Sequence, residues 1–107
     1  MKINILGVPY TIQYKSPQKD TLLQTCDGYC DKSSHRIVVN TENVNLDNFP
    51  RYQKQCLRHE IIHAFMFESG LGSNWEHKQI GQEETTIDWI AVQFPKLLKA
   101  FKKAGAL

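Results

Sequence analysis

The feature that most constrains this chain is a change of hydrophobic period near residue 48. Before it, apolar and polar residues alternate; after it, apolar residues return every three or four positions. The first pattern belongs to half-buried strands and the second to helices with one face on a core. "KINIL" (2–6) and "YTIQYK" (10–15) flank Gly7-Val8-Pro9 and predict a hairpin. Polar residues 16–24, with Ser16-Pro17, predict a loop. Residues 22–30 and "RIVVN" (36–40) flank "DKSSH" as a second strand–turn–strand unit, and Ile37, Val38 and Val39 are β-branched. Beyond "TENVNLDN", Asn48 offers an N-cap and Pro50 suits a first helical turn. Tyr52, Cys56, Leu57, Ile61, Ala64, Phe65 and Phe67 then mark a helix from about Arg51 to Ser69, with Gly70 as its stop. Residues 71–79 predict a loop or short turn, and a second helix runs from Ile80 or Gln82 to Phe94. Pro95 either kinks that helix or opens a third, "PKLLKAFKKA". The expected fold is α+β in one domain, residues 1–107: a small twisted antiparallel or mixed sheet of three or four strands, then two helices.

Composition narrows the partners. Thirteen Lys and Arg against eleven Asp and Glu leave a net charge of +2, without the basic excess of a dedicated nucleic-acid binder. Lys96, Lys99, Lys102 and Lys103 fall at helical spacing and are read as a solvated face. No apolar run approaches the roughly 20 residues that span a bilayer. "MKINILGVPYTI" lacks the apolar region of a signal peptide. A cytoplasmic setting, with neither membrane nor nucleic acid as partner, is the expectation. The three cysteines, an odd number, agree with a reducing compartment. Cys26 and Cys30 are read as strand and turn residues, and Cys56 as core.

The chemistry concentrates in "CLRHEIIHAF" (56–65), which contains H-E-x-x-H. On a helix, His59 and His63 share one face a turn apart and can direct two imidazole nitrogens at one cation. Glu60 stands beside that point but is angled away, where it can hold water rather than ligate. A catalytic zinc site needs three protein ligands and an open position. "GQEETTIDWIA" (81–91) supplies Glu84 and Asp88, again four residues apart. Glu84 is the expected third ligand. Asp88, one turn on, would hydrogen-bond the far nitrogen of His59 and fix its tautomer. Glu83 competes for the third position but points about 100° away on the helix. His77 is the other alternative, as ligand or as an oxyanion group.

"RHEIIHAF" followed by "EETTIDWIA" resembles the zincin group of zinc metallopeptidases, in the gluzincin arrangement of H-E-x-x-H plus a later E-x-x-x-D. Small ImmA/IrrE-like and phage-encoded peptidase domains are similar in layout. In these a short twisted sheet precedes the H-E-x-x-H helix, and a further helix opens with the Glu ligand, matched here by Glu84, Asp88 and Ala91. A SprT-like pattern, with a third His after the motif, would promote His77 instead. The resemblance implies a Zn2+ cofactor, a peptide or protein substrate aligned on a sheet edge, and Glu60 as general base. The edge is expected within the 22–40 hairpin, along 24–30 or 36–40. The alternative is a phage-type metal-binding module that engages a host protein and cuts nothing.

Overall fold

The computed structural model describes residues 1–43, 45–73 and 83–107. Among them the fold is α+β: strands β1 (Lys2–Ile5), β2 (Val8–Lys15), β3 (Gly28–Asp31) and β4 (Arg36–Asn40), then helices α1 (Phe49–Glu68) and α2 (Glu84–Ala104). Short 3-10 turns lie at Thr21–Gln24 and Leu71–Ser73.

The first hairpin turns one step earlier than Gly7-Val8-Pro9. Leu6 and Gly7 both adopt positive φ (52° and 93°), and Val8 and Pro9 already belong to β2. Two consecutive residues of positive φ make the tight turn whose twist suits antiparallel strands. The Gly7 amide donates to Asn4 Oδ1 at 2.7 Å, which closes it.

The sheet is mixed, in the order β1-β2-β4-β3. β1–β2 and β3–β4 are antiparallel, but β2 and β4 run parallel, with Ile12 opposite Ile37 and Tyr14 opposite Val39. The chain leaves β2, travels out to the edge as β3 and returns as β4 into the gap. Residues 16–24, expected as loop, hold a 3-10 turn capped by Asp20. Tyr29, which pairs with Val38 across β3–β4, hydrogen-bonds Asp20 and ties this crossover to the sheet.

One face of the sheet carries α1. Ile5, Tyr10, Ile12, Ile37, Val39 and Ala64 form the buried cluster, with Cys30, Cys56, Leu57 and Ile61 packed against it. Cys56 therefore sits at the core's margin, partly buried. The Tyr10 hydroxyl crosses to α1 and donates to Glu68 Oε1 at 2.7 Å. α1 begins at Phe49 rather than Arg51, because Asn48 accepts from the Arg51 amide at 3.3 Å and so caps the turn containing Pro50.

At Pro95, α2 follows one of the two expected courses and not the other. Glu83 is extended (φ −74°, ψ 108°) and the helix runs from Glu84, while the expected starts at Ile80 or Gln82 lie outside the described residues. It then continues through Pro95 to Ala104, with no separate third helix. Pro95 cannot donate to the Ala91 carbonyl four residues back. That acceptor takes the Arg58 Nε hydrogen at 2.7 Å instead. Among the described residues, no helix is long and apolar enough to cross a membrane.

Candidate metal centre

α1 presents three functional faces. Leu57, Ile61 and Ala64 meet the sheet, Arg58 and Ile62 turn toward α2, and His59, Glu60 and His63 line a cleft against β3. The i, i+4 spacing works as helix geometry requires: His59 Nε2 and His63 Nε2 stand 3.1 Å apart. The opening turn of α2 brings Glu84 between them. Its Oε2 lies 2.9 Å from His59 Nε2 and its Oε1 3.1 Å from His63 Nε2.

These three residues are the group of potential ligands that converges among the described residues. Nitrogen and oxygen ligands about 2.0 Å from a tetrahedral zinc stand about 3.3 Å from one another. The observed separations are a few tenths of an ångström shorter, so modest side-chain rotation would admit the ion. Two imidazoles and one carboxylate could hold Zn2+ and leave one position open. Asp88 Oδ1 lies 3.4 Å from His59 Nδ1. A carboxylate there favours a proton on Nδ1 and directs the Nε2 lone pair toward Glu84.

Glu60 is the one buried acid of the site, 9% exposed. β3 passes it at Gly28. A Cβ at Gly28 would meet Glu60 Cγ at 3.5 Å and the Val38 carbonyl oxygen at 3.1 Å. Burial lifts the Glu60 carboxyl to about 7; the neighbouring His59 opposes this rise and Glu84 adds to it. Burial also lowers the pKa of His63, favouring the neutral imidazole that a metal requires.

The other candidates fall elsewhere. Glu83 is the exposed, extended residue before α2 and lies outside the converging group. His77 lies outside the described residues. The site also draws on residues to which the sequence assigns no role in it. A cavity of about 180 Å³ next to His59 and Glu60 is lined by Asp27, Gly28, Tyr52 and Gln55, among others. The Tyr52 hydroxyl donates to Asp27 Oδ2 at 2.6 Å, joining the residue before β3 to α1. Tyr52 is seven residues before His59, so helical spacing alone puts both on one side of α1; Asp27 and Gly28 have no such local signal.

Cys26 is exposed and its thiol donates to the Leu22 carbonyl, while Cys30 is half-buried on β3. Burial pushes the Cys30 thiol up to about 11, so it is not a ready thiolate. In comparisons with protein-family models, curated proteins and solved structures, nothing matches this chain.

Proposed function

We propose that this chain is a small zinc-dependent metallopeptidase of the zincin type. The observation that carries the reading is the meeting of His59 Nε2, His63 Nε2 and the Glu84 carboxylate within about 3 Å, with Asp88 behind His59. Bound zinc would polarise a peptide carbonyl and lower the pKa of water to about 7.

The chain's own groups supply the rest. Glu60, held against Gly28, takes the proton of the attacking water as its oxygen bonds to the carbonyl carbon. It then delivers that proton to the amine as the C–N bond breaks. Asp88 keeps His59 in the ligating tautomer. β3 is the sheet edge on the cleft side, with Gly28, Tyr29, Cys30 and Lys32 beside His59 and His63. An extended peptide can add to that edge by backbone hydrogen bonds. Of the two stretches expected for this role, 24–30 overlaps the edge strand at residues 28–30, whereas 36–40 is β4, enclosed between β2 and β3.

The test is zinc content and cleavage of an unfolded protein substrate by the wild type and by Glu60→Gln. The expected result is about one zinc per chain in both, with hydrolysis slower by about 10²–10⁴-fold in the variant. Full zinc without cleavage by the wild type would favour the inactive metal-binding module. No zinc uptake would sink both readings.

A further inference from the structure

We infer that Arg58 is a positioning residue for the metal centre: its bond to the Ala91 carbonyl holds α2 where Glu84 can complete the His59–His63 pair. The inference rests on the zinc reading above.

The argument begins with Pro95. A proline inside a helix leaves the carbonyl four residues earlier without its helical donor. Here that carbonyl belongs to Ala91, a residue with no exposed surface. A buried backbone acceptor without a partner is costly, so the position demands a donor from elsewhere. Arg58 Nε provides it at 2.7 Å. The donor is a guanidinium cation, which makes the bond stronger than one between neutral groups.

The location gives the bond its consequence. Arg58 directly precedes His59 on α1, and Ala91 follows Asp88 by three residues on α2. One tie therefore joins the two helices next to both halves of the site. Glu84 and Asp88 need such a tie, because their side chains are 68% and 58% exposed and no core packing holds them. Ile87 and Ala91 are the residues that α2 buries fully. Apolar packing of this kind is not directional, whereas a hydrogen bond to a fixed carbonyl selects one register. Arg58 also lines an apolar cavity with Ile61, Ile62, Phe65, Ile90 and Phe94, beside which its aliphatic stem can lie.

Proline makes the idea testable, because Pro95→Ala returns an N–H to the Ala91 carbonyl. In the Arg58→Met chain the carbonyl is orphaned and the tie is lost. In the Arg58→Met, Pro95→Ala chain the carbonyl is satisfied but the tie is still lost. Zinc affinity is measured by competition with a chromogenic chelator, beside thermal unfolding, for the wild type, Arg58→Met, Pro95→Ala and the double variant. The expected result is zinc binding weaker by about 10–100-fold in both chains that lack Arg58, the range typical of residues that orient ligands. Thermal stability should recover in the double variant, but zinc affinity should not. Adding Arg58→Met to Glu84→Gln should weaken zinc little further, because the tie acts through Glu84. Zinc affinity that recovers together with stability would make Arg58 a structural cap only and overturn the inference. Wild-type affinity in Arg58→Met would overturn it too, while leaving the zinc reading intact. A wild type that takes up no zinc would remove both. Should Arg58→Met fail to fold, the comparison between Pro95→Ala and the double variant decides.

Discussion

The two helices contribute to one site from very different footings. α1 lies on the sheet with Ala64 in the buried cluster, Leu57 and Ile61 against it, and Glu68 bonded to Tyr10. Its two histidines are 18% and 17% exposed and are set by the same packing that makes the core. α2 touches the sheet little and leans on α1 through Ile87, Ala91 and the Arg58 bond. Its Glu84 and Asp88 remain largely in solvent. The difference teaches that the imidazole half of the candidate centre is set by core packing, whereas the carboxylate half depends on how α2 lies against α1. Segments with few buried apolar contacts open at lower free energy than core elements.

The sharpest way to break this comparison is to remove each half in turn. His59→Ala combined with His63→Ala should abolish zinc uptake, whereas Glu84→Gln should keep measurable, weaker binding by elemental analysis and chelator competition. Equal losses would mean that the two halves are not different in kind.

Under the zinc proposal, removing the metal should act chiefly on one helix. At zinc 100-fold above its dissociation constant, linkage stabilises the closed state by about 2.7 kcal/mol. Amide exchange in residues 84–91 should then speed up by about 100-fold when the metal is stripped with a chelator, because opening of α2 is coupled to its loss. Residues 57–64 should change far less. Comparable acceleration in both helices would contradict the docking picture.

Tyr10→Phe addresses the anchored side. It removes the donor to Glu68 in a part-buried setting and should lower stability by about 1–3 kcal/mol. Urea unfolding measures that loss, and zinc affinity of the folded fraction should be nearly unchanged. The smallest effect expected is from Asn48→Ala, which removes the cap of α1 at a cost of about 1 kcal/mol. It should lower the unfolding midpoint without moving the candidate metal centre, which begins at His59, eleven residues further along the helix.

Much of this was readable from local pattern. The α1 stretch announces itself by Asn48, Pro50, its apolar period and Gly70, because caps and periodicity act within a turn or two. The β1–β2 hairpin was readable for the same reason, although its turn lies at Leu6-Gly7. What escaped depends on chain segments far apart. The parallel β2–β4 pairing, and hence the identity of β3 as the edge, follows from how the 16–27 crossover lies on the sheet. Pro95 was expected to kink or end α2. The helix does not end there, and Arg58, 37 positions earlier, occupies the carbonyl that the proline leaves open, a partner that no local pattern announces.

By itself, the sequence determined the pairs: His59 with His63, and Glu84 with Asp88, each on one helical face. That follows from 3.6 residues per turn and needs no third element. Tertiary structure alone decided that the two pairs meet, that Glu60 is buried against Gly28 until its carboxyl titrates near neutrality, and that β3 borders the cleft. Those outcomes depend on desolvation and on contacts across 21 or more residues of chain, which no local spacing encodes.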